Sequence, residues 1–219
     1  VNIEHLMEIL SSLIFQSGDK VTDGAEIDLG SQAEQALSFY TSFADPTKSH
    51  YSWNIRMKNS HDALADGTAA MAIGLASDID RIKAKNPHLN LGVSAFPQQK
   101  NAGTPVVYGT YYFPTVSKSS KVTEEAWRFI LYSASQGPAQ SYIGAGSRAP
   151  ARRDLIQQGT LSPELEIFYS QALIAKSWRI PDEKTAERLI RDMVETVILK
   201  TATASRALSN FRQKLQIIM

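Results

Sequence analysis

The sequence of 219 residues contains no cysteine. This absence excludes disulfide bonds, thiolate zinc sites and cysteine nucleophiles together. It does not indicate a compartment, because a chain without thiols suits an oxidising environment as well as the cytosol. Any binding or chemistry must therefore use oxygen, nitrogen and aromatic side chains.

The sequence also lacks an excess of charge of either sign and has no long apolar run. Lys and Arg number 23 and Asp and Glu number 22, so the formal net charge is +1, which argues against general capture of nucleic acid. No stretch approaches the roughly 18–20 apolar residues of a membrane span. The chain begins at Val1 without a basic and apolar leader, so we expect a processed or truncated product with no signal peptide in this sequence.

Signatures of catalysis are missing as well. No nucleophile elbow, Walker loop or dinucleotide fingerprint occurs, and the stretch Gly144–Ser147 has no lysine after it. Asp78 and Asp80 have a spacing more typical of helix capping than of acid–base catalysis. The four histidines, His5, His50, His61 and His88, form no metal-binding signature. The sequence therefore predicts no catalytic residue, no metal ligand and no cofactor.

Apolar residues at helical spacing dominate the pattern. Ser31 and Glu34 are spaced as a capping box for one helix, and Gly137-Pro138 is expected to end another helix that buries Trp127 and Leu131. A further helix is expected to start at Ser162-Pro163. The remaining predicted helices follow apolar stripes over residues 3–14, 33–44, 186–198 and 204–218.

Short apolar and β-branched runs predict a few strands between these helices. Two buried strands are predicted over residues 68–73 and 91–96, and extended chain over 106–108 and 110–116. We expect an ordered loop over residues 142–153. The pattern indicates an α/β protein with a helix-rich second half.

Aromatic residues are placed unusually, because six of them fall in predicted loops or strand ends. A flat ring can cover the apolar face of a sugar while neighbouring polar groups bond its hydroxyls. We expect about half of these rings to be core residues and the others to favour a carbohydrate site. The six are Tyr51, Trp53, Tyr108, Tyr111, Tyr112 and Trp178.

Several short motifs occur in an order that one family shares. Their letters are ALADGTAAM, NP, LGVSAFP, VSKSSK, EAWRFI and RAPAR, and they start at Ala63, Asn86, Leu91, Val116, Glu125 and Arg148. The series resembles extracellular solute-binding proteins of the sugar-type ABC importers, the maltose-binding-protein-like family. The resemblance runs in order from one end of the chain to the other.

The resemblance implies a periplasmic-binding-protein-like α/β fold (type II), represented mostly by the C-terminal lobe plus a segment of the N-terminal lobe. Residues 1–108 would be the first part of the C-terminal lobe, 109–160 a crossover segment of the N-terminal lobe, and 161–219 the return helices of the C-terminal lobe. Ligands of this family bind in the cleft between lobes that close on them. A chain with only part of both lobes is therefore expected to bind its ligand weakly or not at all.

The same resemblance implies a substrate-binding component of an ABC importer that takes a sugar or oligosaccharide and is not an enzyme. Its partners would be the carbohydrate and the permease subunits, with no nucleic acid, and we expect a monomer in the periplasm or on the cell surface as a lipoprotein. Leu75–Asp78 stand where maltose-type members often have Trp, which argues against maltodextrin specificity, although Trp53 or Trp178 could supply the stacking face instead. The implied ligand-binding residues are Asn2, Glu4, His5, Trp53, Ser77, Asp78, Tyr108, Tyr111, Tyr112 and Trp178.

Two other classes of function stay open. A carbohydrate-active hydrolase needs two carboxylates facing each other at roughly 5–9 Å, and Asp78 with Glu4 is the one pair that could supply them. A stand-alone interaction module would not use the cleft at all. Hydrolysis of a glycoside would support the hydrolase. Failure to bind any sugar would favour the interaction module.

Overall fold

The structure is a computed structural model that describes residues 2–23, 26–100, 103–144, 146, 148–160, 162–180 and 182–219. Val1 and Pro181, and the residues Ala145 and Ser147 of the glycine-containing stretch considered above, lie outside this described part. The chain divides into two compact units. The first comprises Val1–Gly74, Phe96–Gly109 and Ala175–Met219, and the second comprises Leu75–Ala95 and Thr110–Ile174.

The described part of the chain contains ten helices and two short two-stranded sheets. The helices are α1 Leu6–Gln16, α2 Ser31–Ser42, α3 Ser60–Ala65, α4 Asp78–Lys85, α5 Thr123–Ser133, α6 Gln136–Gly144, α7 Arg153–Gln158, α8 Pro163–Ala172, α9 Glu183–Ile198 and α10 Ala204–Ile218. The antiparallel sheet pairs β1 Thr22–Asp23 with β2 Glu26–Ile27. The parallel sheet pairs β3 Val107–Tyr108 with β4 Ala175–Lys176.

The first unit has one hydrophobic core, formed by the apolar faces of α1, α2, α9 and α10. Leu10, Leu37, Val194 and Leu215 are almost inaccessible to solvent there. Burying a side chain of this size contributes about 1.5–3 kcal/mol, so these four helices stabilise the unit. The helices predicted from the stripes over 186–198 and 204–218 are confirmed as α9 and α10.

The N-terminus of α2 is capped differently from the prediction. Ser31 and Glu34 form no capping box, because the N-cap residue is Gly30 and the Ser31 hydroxyl donates to the side chain of Gln32. Asp19, distant in sequence, accepts from the backbone N–H groups of Gly30 at 2.8 Å and Ala33 at 2.9 Å. Its carboxylate satisfies two donors of the first turn that the helix itself leaves unpaired.

The second unit buries little of its apolar surface. No residue of α5 is buried, and Trp127 and Leu131 are exposed, so the prediction that this helix buries one side is wrong for the structure described. Helix α5 packs against α6, but a face becomes a core only where enough apolar surface opposes it. The small buried set of this unit includes Ile79 and Ile82 of α4.

Proline and glycine do not end the helical region after α5. Gly137 and Pro138 lie in the first turn of α6. Backbone N–H groups of a first turn have no acceptor within the helix, so a proline there loses no hydrogen bond. The predicted loop over 142–153 is therefore wrong at both ends, since α6 reaches Gly144 and α7 begins at Arg153. The start at Ser162-Pro163 is confirmed, with Ser162 as the N-cap residue of α8.

The predicted strands over 68–73 and 91–96 are not formed. A strand requires a hydrogen-bonded neighbour, and these segments pair with no strand among the described residues. The same holds for the extended chain after Gly109, whereas residues 107–108 form β3 as predicted. No described helix is both long and apolar enough to cross a membrane.

The chain passes from one unit to the other at Gly74–Leu75, Ala95–Phe96, Gly109–Thr110 and Ile174–Ala175. These points group residues 75–95 and 161–174 with the second unit, which differs from the predicted segments 1–108, 109–160 and 161–219. The assignment of the segments to two lobes stays a prediction.

Removing the carboxylate that caps α2 should destabilise the first unit. Asp19→Ala leaves the N–H groups of Gly30 and Ala33 without their acceptor, so we expect the free energy of unfolding to fall by about 1–2 kcal/mol. Urea unfolding followed by circular dichroism measures the loss. Asp28→Ala, which removes an exposed carboxylate from the same loop, is the control and should change the free energy by less than about 0.5 kcal/mol. An equal loss in both variants would show that Asp19 is not a cap.

Candidate functional site

The segment before α1 is fastened to the segment before α3. Asn59 caps α3 by accepting from the N–H groups of His61 and Asp62, which leaves its Nδ2 to donate to Glu4 Oε1 at 2.8 Å. The N–H of Glu4 donates to Ser60 Oγ at 3.1 Å. The N–H of Ser60 donates to the carbonyl oxygen of Asn2 at 3.1 Å, so the residues that begin α3 hold two predicted ligand residues, Asn2 and Glu4.

Asn2 and Trp53 each have a buried polar atom without a hydrogen-bond partner in the described part of the chain. Asn2 donates through Nδ2 to the carbonyl oxygens of Met57 and Lys58, but its Oδ1 accepts no bond. Trp53, in the loop between α2 and α3, has an unpaired Nε1–H. One atom is an acceptor and the other a donor. Such atoms are costly to bury unless a water or a ligand bonds them.

His5 lies at the start of α1 with a backbone φ of 56°, in the left-handed region. Its Nδ1 is 3.5 Å from the carboxylate of Glu8, and its ring centroid is 5.6 Å from that of His61. His61 is buried, and its Nε2 donates to the carbonyl oxygen of Ile73 at 2.9 Å. Two imidazole rings therefore lie next to each other beside the polar cluster of Asn2 and Glu4.

Tyr108 is half-buried against α1. Its backbone N–H donates to Ser12 Oγ at 2.9 Å, and its ring stacks on Phe15 with centroids 6.3 Å apart. Burial raises the pKa of the Tyr108 phenol, and the negative charges of Glu8 and Glu183 raise it further.

A third carboxylate belongs to the same surroundings. Burial raises the pKa of Glu187, and the charges of Glu8 and Glu183 add to that effect, while Arg191 and His5 oppose it. The sequence reasoning did not select Glu8, Glu183 or Glu187. Their spacing could have indicated them, because Glu8 is one turn after His5 and the other two are one turn apart on α9.

Trp178 lies in the core of the first unit, not on its surface. The ring is 7% exposed, and its Nε1–H donates to Ser11 Oγ at 3.1 Å. The remaining accessible edge borders a concavity of about 390 Å³, whose other lining residues include Phe15, Gln16, Lys20 and Lys176. The prediction that Trp178 stacks on a ligand stays a prediction, although most of the ring is packed against protein.

The second unit contains the other four predicted ligand residues. Asp78 is 6% exposed, and its carboxylate accepts from the N–H of Leu75 at 2.7 Å and from Arg81 at 3.1 Å. Ser77 is exposed and precedes α4 without capping it through its side chain.

The two predicted aromatic ligand residues of this unit, Tyr111 and Tyr112, are accessible to solvent. Tyr111 stacks on Phe113 with centroids 6.2 Å apart, and burial raises the pKa of its phenol. Tyr112 is 83% exposed. Rings presented in this way can cover an apolar face of a ligand.

The structure thus brings Asn2, Glu4 and His5 together, next to the residues that begin α3. Tyr108, Trp53 and Trp178 belong to the same unit, and Ser77, Asp78, Tyr111 and Tyr112 belong to the other. Asn59, which the sequence analysis did not select, is the residue that connects the cap of α3 to Glu4. The first unit therefore offers a bonded carboxylate at Glu4 and unpaired polar atoms at Asn2 and Trp53. Such a set of groups suits recognition of a hydroxylated solute.

Comparison with known proteins identifies the family. A sequence model described as bacterial extracellular solute-binding protein matches residues 6–166. No curated protein sequence matches the chain.

Solved structures show the fold. An ABC transporter solute-binding protein from Thermotoga lettingae, bound with alpha-D-tagatose, is 22% identical with a TM-score of 0.70, over 99% of this chain and 57% of that one. The maltose-maltodextrin binding protein of Alicyclobacillus acidocaldarius is 17% identical with a TM-score of 0.72, over 96% of this chain and 59% of that one. UgpB from Mycobacterium tuberculosis, in complex with glycerophosphocholine, is 14% identical with a TM-score of 0.69, over 98% and 56%.

The chain therefore spans between 56% and 59% of the length of these three proteins. The likeness confirms the predicted periplasmic-binding-protein-like α/β fold. Because the family model covers well over half of the sequence, the chain belongs to the family of bacterial extracellular solute-binding proteins.

Proposed function

We propose that this chain is the solute-binding part of an ABC importer and that its solute is a sugar or oligosaccharide. The observation that supports the proposal best is the pair of unpaired buried atoms, Asn2 Oδ1 and Trp53 Nε1. A sugar hydroxyl can both donate and accept, so hydroxyls can satisfy both kinds of atom. Both residues are among the ligand-binding residues that the family resemblance implies.

Relatives of the same fold support a hydroxylated ligand. One of the solved proteins is bound with tagatose, and another is a maltose-maltodextrin binding protein. A third is in complex with glycerophosphocholine. A carbohydrate agrees with the exposed aromatic rings of Tyr111 and Tyr112, since a sugar ring presents an apolar face to such groups. The phosphodiester class is the competing solute and is included in the test below.

We propose that the protein binds its solute without changing it. Hydrolysis of a glycoside would need one carboxylic acid and one carboxylate available to the glycosidic bond. Glu4 instead accepts a hydrogen bond from Asn59, and Asp78 accepts from Leu75 and Arg81. Both candidate carboxylates are thus used to hold local structure.

The partners and the location follow from the family. Members are extracellular solute-binding proteins, so we propose the periplasm or the cell surface, with permease subunits as the protein partners and a monomeric state. The assignment of residues 1–108 and 161–219 to a C-terminal lobe and of 109–160 to an N-terminal lobe belongs to the same proposal.

Indole signals in two-dimensional NMR test the proposal, because the chain has three tryptophans. Titration with D-tagatose or maltotetraose should move the Nε1–H signal of Trp53, whose donor is unpaired, and leave that of exposed Trp127 in place. The method detects weak as well as tight binding. Glycerophosphocholine is titrated in parallel and distinguishes the two classes of solute.

Trp53→Phe sharpens this test. The variant keeps an aromatic ring and removes the donor, so the affinity for the bound sugar, measured for this variant by calorimetry, should fall about three- to tenfold. Stability without sugar should not fall, because the variant also removes a buried unpaired N–H. Trp127→Phe is the matched control and should leave affinity unchanged. Equal shifts at all indoles, or a shift of the Trp53 signal with glycerophosphocholine and with no sugar, would contradict the proposal.

An activity assay separates binding from hydrolysis. We expect no release of product from nitrophenyl glycosides, and the same background rate with Asp78→Asn, because the Asp78 carboxylate accepts bonds from Leu75 and Arg81. Hydrolysis by the original chain that disappears in the variant would instead support the carbohydrate-active hydrolase.

A further inference from the structure

Two adjacent serines in the middle of α1 are buried. Ser11 is 2% exposed and Ser12 is 3% exposed. A serine inside a helix commonly bonds the carbonyl one turn earlier, and alanine is a better helix former at such a position. A buried hydroxyl is costly unless it is bonded, so the partners of these two indicate what the hydroxyls are for.

Each serine binds a segment outside its own helix. Ser12 Oγ donates to the carbonyl of Glu8 at 2.8 Å and accepts from the N–H of Tyr108 at 2.9 Å. Ser11 Oγ accepts from the indole N–H of Trp178 at 3.1 Å. Tyr108 is the last residue of β3, and Trp178 lies two residues beyond the end of β4.

The two segments are also bonded to each other. Val107 and Tyr108 pair in parallel register with Ala175 and Lys176, and the N–H of Gly109 donates to the carbonyl of Lys176 at 2.9 Å. Two hydroxyls on successive residues of one helix therefore bond the end of β3 and the segment that follows β4. A two-stranded sheet of two residues each has little stability of its own.

The same helix holds the polar cluster of the candidate site. Helix α1 begins directly after His5, and Glu8 connects the two regions: its carboxylate is 3.5 Å from His5, and its charge raises the pKa of Tyr108. Its carbonyl is the one that Ser12 bonds. The position of Tyr108 relative to His5 and Glu8 is thus set through Ser12.

We propose that Ser11 and Ser12 are positioning residues for solute binding, holding Trp178 and Tyr108 at fixed places relative to the start of α1. The proposal rests on the proposed function. Neither hydroxyl touches the solute, since each is buried and bonded to protein. Their removal therefore acts on binding through the two aromatic residues.

The direct readouts are local. Ser12→Ala removes the acceptor of the Tyr108 N–H, so hydrogen exchange of that amide should become about tenfold faster. Ser11→Ala removes the acceptor of the Trp178 indole, so its Nε1–H signal should move upfield. Thr41→Val is the matched control: Thr41 is also buried in a helix of the first unit, but its hydroxyl bonds only carbonyls of its own helix.

The binding readout separates positioning from simple stabilisation. For the sugar that moves the Trp53 signal, D-tagatose or maltotetraose, each alanine variant should show an affinity about three- to tenfold lower, and Thr41→Val should show the original affinity. Ser12→Thr retains a hydroxyl and should restore both the slow exchange of Tyr108 and the affinity. Melting temperatures of all variants show that each one folds.

The outcomes distinguish this proposal from the one it rests on. Faster exchange at Tyr108 with unchanged affinity would overturn positioning and leave solute binding intact, as would an affinity loss equal to that of Thr41→Val. Unchanged exchange and an unmoved indole signal would show that the two hydrogen bonds do not hold these residues. If glycerophosphocholine moves the Trp53 signal and no sugar does, the proposed function fails, and the binding role of the serines fails with it.

Discussion

Packing of α1 into the core of the first unit is the constraint on which the other features depend. The apolar residues of this helix, including Leu10 and Ile14, are buried with residues of α2, α9 and α10. The residues just before α1 form the polar cluster. The buried hydroxyls of Ser12 and Ser11 in α1 bind β3 and the segment after β4. A helix fixed on one side by apolar packing can present polar groups at defined positions elsewhere.

The second unit shows what happens where such packing is scarce. Helix α5 has the apolar spacing of an amphipathic helix, yet none of its residues is buried. The ion pairs of this unit include Arg152 with Asp154 and Lys83 with Glu164, which lie on its surface. Pairs this exposed each contribute little to stability. The predicted ligand residues Tyr111 and Tyr112 thus lie on a unit with a small core, whereas Asn2 and Tyr108 lie on a well-packed one.

Sequence reasoning succeeded where local patterns determine the structure. The stripes of α9 and α10 predict their helices because one apolar face per 3.6 residues leaves few alternatives. It failed where the partner lies outside the local pattern: Asp19 caps α2 from 11 residues before Gly30, and residues 68–73 lack a strand to pair with among the described residues. Such partners follow from the tertiary arrangement, which a single sequence does not specify locally.

The candidate site shows the same division. Asn2, Glu4 and His5 were selected through a family resemblance, and the structure explains how they are held, through Asn59 and Ser60. Spacing alone did not reveal Ser11 and Ser12, because a buried serine resembles any small core residue in a sequence. Their roles become visible only through the donors that reach them from residues 96 and 167 positions away.

Selectivity for a solute follows from the same physical rule that makes buried serines informative. Asn2 Oδ1 and Trp53 Nε1 are buried without partners in the described part of the chain, so a ligand that bonds them removes an existing cost. A ligand lacking the matching hydroxyl leaves that cost in place and also excludes the water that could reduce it. Unpaired groups therefore discriminate between solutes more strongly than groups already bonded to protein, such as the carboxylates of Glu4 and Asp78. Under the proposed function, specificity should accordingly depend on Asn2 and Trp53 more than on the carboxylates of Glu4 and Asp78.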